Sequence, residues 1–263
     1  MSLRLVQLPT QLVKDLKKVS RLSTKQKWEY GGRLLFDDTH TYTGFTQVTS
    51  KERARIDSSV LEPEWYSNST FTYHTHPGIF SRPNMGCEKW SIFTTLPSNS
   101  DFEAYIKGYP EMKINFICDA HGYYIIDVLK AVEMNTCALP ISITSEMKTI
   151  RYEDFLYERG FGEDRCEYFL TTLPHWKMFI NQELYPRMMN LYGISIHYYG
   201  YEDEPPMVII DAWVSPPTHP PRTKRGDTPE SWHPTHKSPV LLLWLPWTVD
   251  EVSDYPVARP PDE

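Results

Sequence analysis

"STFTYHTHP", residues 69–77, predicts a β-strand that ends in two histidines. β-Branched and aromatic residues dominate the run, and such residues favour an extended chain. Residues i and i+2 of a strand point to the same face, so His74 and His76 can direct their imidazoles at one metal ion. Pro77 cannot donate a ladder hydrogen bond, so it fits the point where the strand leaves its sheet. Two ordinary polar histidines at a strand end would give the same short pattern.

The segments around this strand predict a mixed architecture of helices and strands. Apolar residues at helical spacing predict an amphipathic helix over residues 10–22. Residues 97–108 predict a second helix, with Ser100 and Glu103 as its capping box and Gly108 at its end. The order of helices and strands indicates an α+β or α/β-like sandwich of layers. The other predicted elements are strands over residues 28–36, 42–50, 112–119, 122–132, 194–201 and 207–214, a loop over residues 78–96, and helices over residues 144–159 and 167–192, the last one interrupted by Pro174 and Pro186.

The composition limits the kinds of function that the chain can have. Its 263 residues are 40% hydrophobic, which is enough for the core of one large domain. The net charge of -7 argues against a general nucleic-acid binder. The longest apolar run, residues 240–247, falls short of the roughly 20 residues that cross a bilayer, and the charged N-terminal sequence does not fit a secretory signal. The scattered cysteines form no C-x-x-C pair and predict reduced thiols in a cytoplasmic protein: Cys87, Cys118, Cys137 and Cys166.

A catalytic zinc site needs a third protein ligand and a proton acceptor besides the two histidines. Asp101, at the start of the second predicted helix, is the candidate ligand, and a carboxylate in this position can also cap the helix. Glu29 in "WEYGG" is the candidate general base. A glutamate in an apolar strand next to two glycines is unusual, because burying an isolated carboxylate is costly. The alternative is an exposed residue on an edge strand. Ser98 could stabilise an oxyanion through its hydroxyl group, or it could be the N-cap of the helix.

Together these residues form the pattern E…HTHP…PSNSD, which resembles the signature of the JAMM (MPN-plus) zinc metalloprotease family over about residues 10–135. The resemblance implies that His74, His76 and Asp101 bind one Zn2+ ion. It also implies that Glu29 activates the zinc-bound water and that Ser98 stabilises the tetrahedral intermediate. The implied fold is the MPN (JAB, cytidine-deaminase-like) fold, a three-layer α+β arrangement with a mixed sheet flanked by helices, here with a C-terminal α+β extension.

The function implied by the resemblance is hydrolysis of an amide or isopeptide bond, with ubiquitin or a ubiquitin-like conjugate as the substrate. Residues 1–142 would form the catalytic domain, and residues 143–263 an extension or second α+β region able to bind a protein partner. The chain departs from the family pattern at residues 77–100, a longer connection than usual that could act as a lid or a docking insertion. Two alternatives stay open, a non-catalytic MPN scaffold in a complex and a catalytic domain that a partner activates; the filled motif positions favour the enzyme.

Overall fold

A mixed sheet, flanked by helices, is the central feature of the computed structural model. The structure describes residues 5–37, 39, 41–52, 56, 71–78, 92–109, 111–136, 156–159 and 167–209. All of them lie in the first of two compact units, Met1–Pro221; the second unit, Arg222–Glu263, lies outside the described residues. The strands are β1 (Leu5–Gln7), β2 (Gly31–Phe36), β3 (Tyr42–Phe45), β4 (Phe71–Thr75), β5 (Ile92–Thr94), β6 (Ile114–Cys118), β7 (Gly122–Asp127), β8 (Leu156–Arg159), β9 (Glu167–Thr171), β10 (Ser195–Gly200) and β11 (Met207–Ile209). The helices are α1 (Thr10–Gln26), α2 (Asn99–Lys107), α3 (Leu129–Glu133), α4 (Leu173–Met178) and α5 (Tyr185–Tyr192), with a π-helical turn, Phe179–Leu184, between α4 and α5.

Among the described residues, six strands form the central sheet in the order β10-β7-β6-β4-β2-β3. The pair β4 and β6 is parallel, and the other neighbours in this sheet are antiparallel. Two smaller sheets accompany it, β1 with β11 and β5-β9-β8. The strand β4, whose sequence predicted the metal ligands, therefore lies inside the sheet with a partner on each side.

Helix α1 covers one face of the central sheet. Its buried apolar residues Leu12, Leu16 and Val19 recur at helical spacing and pack in one cluster with Tyr73 of β4 and Phe116 of β6. This is the amphipathic pattern by which a helix buries one stripe against a sheet. The predicted helix over residues 10–22 is confirmed, and it extends to Gln26.

Helices α2, α4 and α5 cover the other face of the central sheet. Ile117 of β6 and Tyr124 of β7 pack in a second cluster with Phe102 of α2, Trp176 of α4 and Met188 of α5. Neighbouring residues of one strand point to opposite faces, so Phe116 and Ile117 enter different clusters. The described residues therefore form a mixed α+β structure with helices on both faces of the sheet. This is the mixed, layered fold class that the sequence predicted.

Two segments that the sequence predicts as helix are strands instead. Leu156–Arg159, the described end of the predicted helix over residues 144–159, forms β8. Glu167–Thr171, the start of the predicted helix over residues 167–192, forms β9 between β5 and β8. The two segments make their backbone hydrogen bonds with each other rather than within a helix. Pro174 lies in the first turn of α4, where its missing N–H costs nothing, so it begins a helix instead of interrupting one.

Two further predictions change in the middle of the chain. The predicted loop over residues 78–96 contains a strand, Ile92–Thr94, because β9 supplies a partner for it. The predicted strand over residues 122–132 ends at Asp127, whose Oδ1 atom accepts a hydrogen bond from the backbone N–H of Leu129 at 2.8 Å and so starts α3. Residues 79–91, 144–155 and 210–263 lie outside the described residues, and so do the predictions made for them.

The described residues beyond position 142 share this architecture. They supply β10 to the central sheet and α4 and α5 to its second helical layer. The predicted boundary between residues 142 and 143 stays a prediction. No helix in the described part of the chain is both long enough and apolar enough to span a membrane.

Candidate metal centre

The end of β4 brings the two predicted histidine ligands together. His74 pairs with Gly31 of β2 and with Ile117 of β6, and the backbone N–H of His76 donates to the carbonyl of Cys118 at 2.8 Å. The chain thus stays bonded to β6 beyond the last residue of the strand. The two imidazoles point to one side, and their Nε2 atoms lie 3.2 Å apart. The predicted convergence of the i and i+2 side chains is present in the structure.

Helix α2 places Asp101 beside both histidines. Asp101 is in the first turn, and its Oδ1 atom lies 3.3 Å from His74 Nε2 while its Oδ2 atom lies 3.7 Å from His76 Nε2. The same carboxylate closes a capping box with Ser98: Oδ2 accepts from the Ser98 backbone N–H at 2.7 Å and from its hydroxyl at 2.8 Å. Asp101 therefore both closes the capping box and offers the candidate ligand atom.

The capping box predicted at Ser100 and Glu103 is wrong. Helix α2 begins at Asn99, so Ser98 is the N-cap and Asp101 occupies the third helical position. Ser100 already lies inside the first turn, where its side chain cannot cap the helix. The capping roles weighed for Ser98 and Asp101 are both confirmed, and they are compatible with metal binding because they fix the carboxylate in place.

The distances among the three donor atoms fit a small cation. His74, His76 and Asp101 each offer one ligand atom, and these atoms lie within 4.8 Å of one another. Metal–ligand bonds of 2.0–2.1 Å in a tetrahedral site separate donors by about 3.3–3.4 Å, close to the 3.2 Å between the two Nε2 atoms and the 3.3 Å from His74 Nε2 to Asp101 Oδ1. These three residues could hold a metal ion. Imidazole and carboxylate donors suit several divalent metals, so the donor set leaves the identity of the ion open.

The far nitrogen of each imidazole has a hydroxyl partner. Tyr105 Oη lies 3.0 Å from His74 Nδ1, and Thr95 Oγ1 lies 3.0 Å from His76 Nδ1. A ligand histidine usually donates its other N–H to such a partner, which leaves the Nε2 lone pair for the metal. The sequence reasoning missed both residues. Tyr105 follows Asp101 by one helical turn, and this spacing could have revealed it, whereas nothing in the sequence around Thr95 indicates the contact.

Glu29 lies just before β2 and is buried, with 9% of its surface exposed. Its backbone N–H donates to the carbonyl of Glu52 at 2.8 Å. Burial raises the pKa of its carboxyl to about 7; the charge of His76 lowers it and that of Asp101 raises it. Both groups are therefore near enough to act on the carboxyl. The alternative of an exposed edge-strand residue is wrong, because Glu29 is buried and the strand that it precedes, β2, has β3 on one side and β4 on the other.

The two carboxyl groups of the site differ in their electrostatic surroundings. Burial by itself would raise the pKa of Asp101, but the charge of His74, hydrogen bonds from His74 and His76, and the charge of His76 outweigh it and hold that pKa well below its usual range. Asp101 is therefore a carboxylate at neutral pH, as a metal ligand must be. Glu29, with its raised pKa, is the group of the pair that can gain and lose a proton near neutral pH.

No family model, no curated protein and no solved structure matches this chain. The arrangement of His74, His76, Asp101 and Glu29 is thus the observation on which a functional conclusion depends.

Proposed function

We propose that this protein is a zinc-dependent metallohydrolase with an MPN-type catalytic fold. Its proposed substrate is an amide bond, in particular an isopeptide bond of ubiquitin or a ubiquitin-like conjugate. The observation that carries the proposal is the approach of three donor atoms, from His74, His76 and Asp101, next to the buried carboxyl of Glu29. The motif pattern of the sequence supports the family, and the layered mixed sheet is compatible with it.

His74, His76 and Asp101 would hold the zinc ion, which leaves one position open in a tetrahedral site. A zinc ion held there would supply a water of lowered pKa and would polarise the carbonyl of the substrate. The protein's own contribution is to keep the three donors in place. Two of them come from the end of one strand and the third from the first turn of α2, all within buried or half-buried surroundings.

Glu29 would move the proton of the reaction. In hydrolysis of an amide, the oxygen of water forms a bond to the carbonyl carbon and the bond from carbon to nitrogen breaks. Glu29 would accept the proton that water loses and deliver it to the leaving amine. A carboxyl with a pKa of about 7 is suited to both steps near neutral pH.

Ser98 is the proposed donor to the oxyanion. Its hydroxyl donates to Asp101 Oδ2 at 2.8 Å in the structure. To stabilise an oxyanion, this hydroxyl would have to rotate away from the carboxylate, and the backbone N–H of Ser98 would keep Asp101 in place meanwhile. The proposal therefore assigns Ser98 a capping role and a catalytic role.

Glu29→Gln tests the proposal, because it keeps the shape of the side chain and removes its basicity. Metal analysis by mass spectrometry should find one zinc per chain in both the wild type and the variant. Cleavage of a panel of di-ubiquitin linkages should fall by about 10²- to 10⁴-fold in the variant. Glu103→Gln, a change on the partly exposed side of α2, should leave cleavage unchanged.

Each other outcome has a defined meaning. A wild-type protein that binds no zinc contradicts the metal site and with it the enzyme. Zinc binding without Glu29-dependent cleavage of any linkage contradicts the ubiquitin substrate and favours the alternative function, a non-catalytic or partner-activated MPN scaffold.

A further inference from the structure

Two buried hydroxyl groups hold the backbone on both sides of Glu29. Ser23, in the last turn of α1, donates its hydroxyl to the carbonyl of Trp28 at 2.7 Å. Thr75, the last residue of β4, accepts a hydrogen bond from the backbone N–H of Tyr30 at 2.9 Å through its Oγ1 atom. Ser23 and Thr75 are completely buried, so water does not compete for these bonds. The residues before and after Glu29 are therefore held by α1 and by the strand that carries the histidines.

The two hydroxyl groups are also bonded to each other, in a defined direction. Thr75 Oγ1 donates to Ser23 Oγ at 2.8 Å. A backbone N–H can only donate and a carbonyl can only accept. The hydroxyl proton of Ser23 therefore goes to Trp28 and that of Thr75 goes to Ser23, which leaves Thr75 Oγ1 to accept from Tyr30. Each donor in this series has one acceptor.

The series fixes the direction of the Glu29 side chain. The carbonyl of Trp28 belongs to the peptide group before the Cα atom of Glu29, and the N–H of Tyr30 belongs to the peptide group after it. The N–H of Glu29 holds the first of these groups a second time, through its bond to the Glu52 carbonyl at 2.8 Å. Peptide groups are planar, so holding both of them restricts φ and ψ of Glu29 and sets the direction of its Cα–Cβ bond.

Thr75 connects this part of the backbone to the candidate metal ligands. It lies between the two histidines in sequence and turns its side chain to the opposite face of β4. Its backbone N–H donates to the carbonyl of Tyr30 at 2.8 Å, one residue beyond the last pair of the ladder between β2 and β4. The same antiparallel register, continued by one more residue, places Glu29 opposite His76. Thr75 thus ties the candidate base to the strand end that carries the ligands.

We propose that Ser23 and Thr75 are positioning residues that hold the carboxyl of Glu29 toward the metal site. The inference rests on the proposed function, in which Glu29 moves the proton, and adds to it a role for the last turn of α1. Both hydroxyls lie on the face of the sheet that α1 covers, whereas the histidines meet Asp101 on the face that α2 covers. The two hydroxyls therefore act through Glu29 and are not catalytic residues.

Three variants and a matched control separate this role from a merely structural one. Ser23→Ala and Thr75→Val each remove one hydroxyl of the series, and Thr75→Ser keeps it. Ser20→Ala is the matched control. Ser20 is also completely buried on α1, three residues before Ser23, but its hydroxyl donates to the carbonyl of Asp119 and not to the backbone beside Glu29.

Kinetics of di-ubiquitin cleavage give the first test. In Ser23→Ala and Thr75→Val, kcat should fall by about 10- to 100-fold, because a misplaced proton acceptor slows the reaction. KM and the bound zinc should stay at wild-type levels, since the three ligands are unchanged. Thr75→Ser and Ser20→Ala should match the wild type. In a Glu29→Gln background, Ser23→Ala should cause no further loss, because the side chain that it orients has already lost its basicity.

Relaxation NMR of the chelator-treated protein gives a second test, which needs neither metal nor activity. The backbone amides of Glu29 and Tyr30 should have order parameters of about 0.85 in the wild type, the value of a rigid backbone, and should fall toward about 0.6 in Ser23→Ala and Thr75→Val. Thr75→Ser and Ser20→Ala should keep the wild-type values. Order parameters report motion within the folded state, so a general loss of stability does not imitate this result.

If the wild type is active, unchanged kcat values in Ser23→Ala and Thr75→Val overturn the proposal. An equal fall of kcat in Ser20→Ala, or an undiminished further loss in the Glu29→Gln background, overturns it as well. If the wild type cleaves no linkage, the proposed function fails, and the order parameters alone decide whether the two hydroxyls hold Glu29. If Thr75→Val does not fold, as judged by circular dichroism, the comparison of Ser23→Ala with Ser20→Ala decides; equal results in these two overturn the proposal.

Discussion

The carboxyl of Glu29 shows how the surroundings of one residue set its chemistry. It is buried, and its raised pKa comes first from burial, with Asp101 adding to the effect and His76 opposing it. A group whose pKa is higher in the folded state than in the unfolded state holds its proton more tightly in the folded state. The stability that it contributes is complete below the unfolded pKa and is lost as the pH rises through the folded one.

Glu29→Gln should therefore change the pH dependence of stability in protein stripped of metal. Between a pH of about 4.5 and about 7, the free energy of unfolding of the wild type should fall relative to that of the variant. The difference should approach about 3 kcal/mol at most, the energy that corresponds to the change in pKa. Urea unfolding at several pH values with a chelator present measures it, and parallel curves for the two proteins would show that Glu29 ionises normally.

At the scale of elements, the hydrogen bonds that begin helix α2 involve a residue of the candidate site. Asp101 accepts from the backbone N–H and the hydroxyl of Ser98, and the same carboxylate faces the two histidines. The hydrogen bonds that cap the helix therefore also fix the candidate ligand. A loss at the cap is expected to affect both stability and metal binding.

Ser98→Ala should lower the free energy of unfolding by about 1 kcal/mol, the usual cost of losing an N-cap. It should also weaken zinc binding, because the Asp101 carboxylate loses one of its two donors from Ser98. Ser100→Ala, an exposed change two residues further on, should stay within about 0.5 kcal/mol of the wild type. Denaturant unfolding of the two variants compares them; a larger loss in Ser100→Ala would mean that α2 begins later than the structure has it.

The edge of the central sheet at β10 is closed by side chains. Asn181, in the π-helical turn, accepts from the backbone N–H of Tyr198 and donates to its carbonyl, both at 2.9 Å. Asp203 accepts from the backbone N–H of Gly200 at 2.7 Å. These side chains occupy the positions that a further strand would use, and such protection prevents pairing between sheet edges.

At the scale of the whole molecule, the fold assembles a site from residues far apart in sequence. Glu29 precedes β2, the histidines end β4 and Asp101 begins α2. The parallel pairing of β4 with β6 and the pairing of β4 with β2 bring these elements together. A metal ion at this point would link the sheet to α2 and should stabilise the folded state.

Zinc should therefore raise the melting temperature of the wild type, and a chelator should reverse the shift. Free zinc at 100 times its dissociation constant corresponds to about 2.7 kcal/mol of added stability, because only the folded state has the site. His74→Ala removes one of the three donors and should lose the response. Differential scanning calorimetry measures the shift; an equal shift in His74→Ala would place the bound zinc elsewhere.

The sequence by itself determined the elements whose pattern is local. Helical spacing of apolar residues revealed α1, and β-branched and aromatic residues revealed β4. The same reasoning identified the candidate site residues His74, His76, Asp101 and Glu29, since the chemistry of zinc restricts the side chains that can serve it. Residue type and spacing along one element are sufficient for such inferences.

Only the tertiary structure decided which elements meet. The segment Glu167–Thr171 is short and apolar, and such a segment fits a strand or a helix until a partner strand is present. The start of α2 at Asn99, and so the choice of Ser98 over Ser100 as its cap, depended on the backbone path into the helix. Thr95 lies beside His76 because β9 pairs with β5 directly before it and Tyr124 donates to the Thr95 carbonyl. Distances between elements arise from packing across the chain, and local sequence patterns carry no measure of them.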